Sequence, residues 1–115
     1  MAALKILANW PNDLPIDTLH RIASAAKDDR QRTIAFDGFV RMIQRPESGR
    51  GVDRTLKYYQ QAAKIAAEPD EKRAVIKGLS QIKHPGSLKI LETYLNDSEV
   101  AEDAARVKEA LAQSL

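Results

Sequence analysis

Apolar residues recur along the chain at intervals of three and four, and no run alternates with a period of two, so the sequence predicts helices and no strands. Ala3, Leu4, Leu7 and Trp10 form the stripe of a short first helix that Pro11 and Asn12 end. Leu14, Pro15 and Asp17 lead into a second helix whose buried face is Leu19, Ile22, Ala23 and Ala26. Asp28 and Asp29 stand where a third helix wants a cap and negative charge; its face is Ala35, Phe36, Phe39, Met42 and Ile43, and Pro46 stops it. The segment RPESGRGVDRT, from Arg45 to Thr55, reads as the longest loop. A fourth helix then presents Leu56, Tyr59, Ala63 and Ala66, and a fifth, opened by Pro69 and Asp70, presents Val75, Ile76, Leu79 and Ile82. Pro85 and Gly86 divide it from a sixth built on Leu88, Leu91, Tyr94 and Leu95, and Asn96-Asp97-Ser98 caps a seventh carrying Val100, Ala104, Val107 and Leu111.

Two of these helices are stated twice. An offset of 40 residues lays Gly38 on Gly78, Ala35 on Val75, Phe36 on Ile76, Phe39 on Leu79, Met42 on Ile82 and Arg32 on Lys72. Extended backwards, it lays Leu19 on Tyr59, Ala23 on Ala63 and Ala26 on Ala66. A helix pair that cannot bury its apolar stripe alone, and so stacks on a similar pair, is the mark of an α-solenoid. The expectation is an all-α superhelix of about three pairs and roughly seven helices: a partial or capping helix over 1–10, then pairs over 17–44, 53–83 and 86–114, in a single domain. Glycine inside a helix costs about 1 kcal/mol against alanine. Gly38 and Gly78, each one residue before a large apolar side chain, are therefore expected to let a neighbour pass close by.

Helix pairs of this period, with an aspartate opening the second helix, a basic residue one turn in and a small residue midway (DDRQRTIAFDG, PDEKRAVIKG), resemble HEAT repeats of the armadillo-like superfamily. The phrases LKILANWPNDLPIDTLHRIA, GFVRMI, YYQQAAKIA and DEKRAVIKGLSQIKHPGSLKILETYL are similar to HEAT-like segments of large multi-domain bacterial proteins, notably of planctomycetes and Bacteroidetes. That resemblance implies a piece of a longer polypeptide, accompanying catalytic or haem-carrying domains. The apolar stripes at both ends point the same way: neighbouring domains or a second copy of the chain would cover exposed flanks.

Composition removes several function classes. With 18 Lys and Arg against 16 Asp and Glu the net charge is only +2, so the chain is no polycation, and its basic excess sits in the first half. The absence of cysteine excludes disulfides, thiolate zinc sites and a cysteine nucleophile. MAALKILANW lacks the hydrophobic run and cleavage pattern of a signal peptide, and no stretch reaches the roughly 20 apolar residues of a membrane span, so a soluble chain is expected.

No catalytic constellation emerges. His20 and His84 lie far apart and outside any metal-binding spacing, the serines lack an elbow motif, and there is no glycine-rich phosphate loop. Asp28-Asp29 and Asp70-Glu71 read as helix caps, Glu102-Asp103 as a solvated helix face, and Trp10 as core or interface. No catalytic, cofactor or metal residue is assigned.

The better prospect is a binding surface. In HEAT-like stacks the second helices line the concave face, and here their outward positions include Thr33, Asp37, Arg41, Arg73, Lys77 and Gln81, a mixed-charge strip with basic bias. The leading expectation is a non-enzymatic interaction or spacer module that binds a protein partner or an adjacent domain through Asp37, Arg41, Arg73, Lys77 and Gln81. A HEAT-like enzyme or accessory working in the groove is the alternative from another class, as in bilin lyases or repair glycosylases; a deep pocket with a carboxylate and an aromatic wall would favour it. Arg45, Arg50 and Arg54, with Arg41, make the Arg45–Thr55 loop a candidate for nucleic acid. Near-neutral charge and the lack of interleaved aromatics argue against that use.

Overall fold

In a computed structural model, residues 6, 8, 15–44 and 50–115 are described, and every regular element among them is an α-helix. There are six: α1 (Ile16–Ala25), α2 (Asp29–Gln44), α3 (Val52–Ile65), α4 (Pro69–Leu79), α5 (Pro85–Tyr94) and α6 (Ala101–Ser114). Most of the first of the seven expected helices, that over 1–10, lies outside the described residues, as do Trp10, Arg45 and Pro46; of it only Ile6 and Ala8 are described, and both are helical. None of the described helices is long and apolar enough to cross a membrane. The chain divides into two compact units, Met1–Arg50 and Gly51–Leu115.

In the first unit α1 packs against α2. Their shared core is Ile16, Leu19 and Ala23 against Ala35, Phe36, Phe39, Val40, Met42 and Ile43, all buried. Ile22 and Ala26, expected on the same face, are only half-buried. Pro15 precedes the first residue of α1, a position where its missing N–H leaves no helical bond unmade. Asp28 caps α2 as expected: its carboxylate accepts the N–H groups of Arg30 and Gln31 at 2.9 and 3.1 Å. The other end of α2 is closed by Arg50, whose Nη2 donates to the carbonyls of Met42 and Ile43 at 3.2 and 2.7 Å. These carbonyls belong to the last helical turn, which has no partners within its own helix.

In the second unit α3 packs on α4 and on α5, α4 also packs on α6 and more lightly on α5, and α5 packs on α6. The core is Leu56, Tyr58, Tyr59 and Ala62 of α3, Val75, Ile76 and Leu79 of α4, Ile90, Leu91 and Tyr94 of α5, and Val100, Ala104 and Leu111. The starts of α4 and α5 are held by local polar groups. Glu71 turns back so that its Oε1 accepts the N–H groups of Ala67 and Glu68 at 3.0 Å, which explains a carboxylate only 5% exposed. His84 Nδ1 accepts the N–H of Gly86 at 2.9 Å, and the fully buried Ser87 donates its hydroxyl to the Ile82 carbonyl at 2.9 Å. The last helix begins later than its expected cap: Asn96–Glu99 form turns, and Val100 is the residue before α6.

Both repeated glycines are places of close approach. A Cβ on Gly38 would stand 2.7 Å from Ala8 Cα and Cβ; one on Gly78 would stand 2.6 Å from Tyr59 Cε1 and 2.7 Å from Cζ. No Cβ tolerates such distances, so each site takes the residue without one.

Candidate functional site

The outward positions separate by unit. Asp37 and Arg41 are exposed on α2, whereas Arg73 and Lys77 are exposed on α4, and Gln81, also exposed, lies two residues beyond its end. Arg73 and Lys77, four residues apart, fall on one side of α4 and face α6 across a shallow depression of about 270 Å³. Ile76 and Val107 give it an apolar floor; Ser80, Asp103 and Arg106 complete it. Asp103 is more than a solvated side chain: Oδ2 accepts from Arg73 Nε and Oδ1 from Arg106 Nη2, both at 3.3 Å. Its neighbour Glu102 is exposed, as expected. The depression thus holds three cations and one carboxylate, and Lys77 has no ion pair among the described residues.

The loop arginines do different things. Arg50 is occupied by the carbonyl end of α2. Arg54 lies with its guanidinium carbon 6.0 Å from the centre of the Tyr58 ring, at the limit of a cation–π contact. Arg45 lies outside the described residues. The histidines are accounted for structurally: His20 lies beside Phe39 with ring centroids 5.1 Å apart, and His84 caps α5 with its Nε2 3.9 Å from Asp53. Among the described residues no three His, Asp or Glu side chains are grouped to hold a metal ion.

A larger cavity, of about 430 Å³, opens between α3 and α5, and the apolar spacing did not mark it. Gln60, Ala63 and Lys64 line it from α3, with Ala66 just beyond; Lys89, Ile90, Thr93 and Tyr94 line it from α5; Lys72 of α4 and Asp97 close it. Ala63 and Ala66 were expected to be buried, yet both are half-exposed on the cavity wall. Lys72 Nζ lies 2.7 Å from Asp97 Oδ2 and 2.8 Å from Glu99 Oε1. Those hydrogen bonds, Asp97's first, raise the Lys72 ammonium well above its ordinary range. Asp97 is correspondingly held below the usual carboxylate range, by Lys72 and then by the N–H of Glu99, 3.0 Å from its Oδ1.

Tyr94 is 4% exposed, and its hydroxyl has no hydrogen-bond partner among the described residues. Burial pushes the phenol up to about 12, with Lys72 lowering it and Asp97 raising it slightly. At neutral pH the wall therefore carries a protonated phenol, an ionised carboxylate already neutralised, and two exposed ammonium groups, Lys64 and Lys89, with no ion pair among the described residues. The chain was compared with models of known protein families, with curated proteins and with solved structures, and nothing matched.

Proposed function

We propose that the chain is a protein-interaction module of HEAT-like stacked helix pairs, and that the face shared by α4 and α6 holds an acidic segment of its partner. The stacked-pair reading rests on the packing of the second unit, in which first helix meets first helix (α3 on α5) and second meets second (α4 on α6). The repeat of Ala35–Met42 in Val75–Ile82 supports it from the sequence side.

The observation that carries the binding assignment is the charge balance of the depression. Arg73, Lys77 and Arg106 surround Ile76 and Val107, while Asp103 is the single carboxylate among the lining residues. An extended segment with glutamates flanking an apolar residue satisfies both parts: its carboxylates meet the cations and its side chain covers the floor. Such exposed pairs each contribute little, so binding is expected to be weak and steeply salt-dependent, with exposed charges screened beyond about 10 Å at 0.1 M salt.

The enzyme alternative finds a carboxylate and an aromatic wall in the α3–α5 cavity, the arrangement that would favour it. The protonation states there argue for binding instead. Asp97 is committed to Lys72 and held ionised, and Tyr94 keeps its proton, so neither is poised near neutral pH to exchange one.

The test is a titration of the 15N-labelled chain with an eight-residue peptide alternating glutamate and leucine. Amide shifts are expected to concentrate on α4 and α6, to weaken with added salt, and to vanish in a Lys77→Glu, Arg106→Glu double variant. Shifts that ignore charge reversal on this face would refute the assignment.

A further inference from the structure

We propose that the α3–α5 cavity is a binding site for a small organic monocarboxylate with an apolar body, seated on Ala63, Ala66, Ile90 and the Tyr94 ring and held by Lys64, Lys89 and the Tyr94 hydroxyl. The site shares no lining residue with the α4–α6 depression, so the two assignments stand or fall separately.

Three observations converge. The first is space: about 430 Å³ falls within the roughly 300–1,000 Å³ typical of small-molecule sites. Its apolar part comes from residues too small to fill it, Ala63 and Ala66, facing Ile90 and an aromatic ring across the gap. The second is charge. Three ammonium groups and one carboxylate line the cavity, and the carboxylate is consumed by Lys72 at 2.7 Å. Lys64 and Lys89, one from each wall, are left without a counter-ion among the described residues. The third is Tyr94. A buried phenol O–H that donates to nothing carries a desolvation cost of about 1–3 kcal/mol, and natural structures keep few such groups without cause.

What these groups lack in common is an acceptor bearing negative charge. A carboxylate supplies two oxygens, enough to meet an ammonium and the phenol O–H together. The lining offers an apolar surface but no arginine fork, which disfavours a compact, multiply charged anion such as phosphate, whose hydration the site could not replace. The donor set and the uncommitted positive charge likewise exclude an organic cation as the favoured ligand.

The probe is 2-naphthoate, titrated into the 15N-labelled full chain and, in parallel, into a calorimeter cell. Saturable binding with amide shifts on the C-terminal halves of α3 and α5 is expected. Neutral 2-naphthamide and inorganic phosphate should each bind at least tenfold more weakly, the first lacking the charge and the second the apolar body. Lys64→Gln with Lys89→Gln, both at exposed positions where folding is not at stake, should weaken 2-naphthoate about tenfold or more. Tyr94→Phe separates a binding role from a structural one: removing an unpartnered hydroxyl should leave the melting temperature unchanged or raised while lowering affinity several-fold. Equal binding of naphthamide, affinity indifferent to the lysine pair or to Tyr94→Phe, shifts centred elsewhere, or no saturation would each overturn the proposal.

Discussion

Alanine at position 78 offers a direct measure of how tightly the second unit is built. In an exposed helix interior, glycine to alanine stabilises by about 1 kcal/mol. Here the new methyl would meet Cε1 and Cζ of Tyr59 at 2.6 and 2.7 Å, with the hydroxyl of the same ring also in its way. Tyr59 is 2% exposed and cannot swing into solvent, so the ring or the helix axis must shift. Overpacking of this kind costs about 1–3 kcal/mol. Two ring carbons and the hydroxyl oxygen inside contact distance put the cost toward the upper end, leaving a net loss of about 1–2 kcal/mol for Gly78→Ala.

In urea, with a denaturant slope of about 1–3 kcal/mol per molar, that loss lowers the midpoint by about 0.3–2 M, readable by circular dichroism. Gly51→Ala is the control. No atom lies within 4 Å of its Cβ position and its φ is −77°, so a change of no more than about 0.5 kcal/mol is expected. The decisive comparison is a double-mutant cycle with Tyr59→Leu, which removes the obstructing ring atoms. On that background Gly78→Ala should be neutral or stabilising, a coupling of about 1–3 kcal/mol. A raised midpoint for Gly78→Ala in the otherwise unaltered chain, or an equal loss on both backgrounds, would refute the close-approach account.

Three further outcomes follow from the polar contacts. Arg50→Met removes both donors from the Met42 and Ile43 carbonyls and should cost about 1–2 kcal/mol, with faster amide exchange confined to the last turn of α2. Lys72→Met should lower the melting temperature at pH 7, by an amount that shrinks as the pH falls below 3.8. Asp97's folded-state pKa is depressed, so its stabilising contribution is present above its ordinary value of 3.8 and is lost as pH falls through the lower folded value. Tyr94 has the opposite sign: its folded pKa is raised, so its contribution is full below pH 10 and declines between there and about 12. Alkaline titration followed at 295 nm should show absorbance still rising near pH 12, and Tyr94→Phe should reduce that late rise by one phenol.

The helices and their inner faces could be read from spacing because a stripe at three and four residues has only one way to be buried. Phe36, Phe39, Leu79 and Leu91 are fully buried as that rule requires. Caps were legible for the same local reason, since Asp28 and Glu71 need only their own neighbours. The cavity was not legible, because Lys64, Lys89 and Tyr94 meet only when α3 and α5 pack, and no periodicity within one helix records that meeting. Its one trace in the sequence lies in Ala63 and Ala66, apolar by type but too small to close the gap opposite Ile90.

The repeated glycines show how far such a trace can be trusted. Gly38 and Gly78 are equivalent by offset, and so are Leu19 and Tyr59; strict repetition would therefore bring Leu19 against Gly38 as Tyr59 comes against Gly78. The residue that meets Gly38 is instead Ala8, through its backbone as well as its side chain. What the repeat preserves is permission for something to approach at that point of the helix, and the approaching group is chosen by the packing around it. The same holds for the outward positions. Asp37 and Lys77 occupy matching places with opposite charge, so an acidic ligand that fits the α4–α6 face gains nothing from the matching place on α2. Charge at the outward positions can therefore vary between copies at almost no cost to folding, while the inward glycine cannot, and specificity is expected to reside in the former.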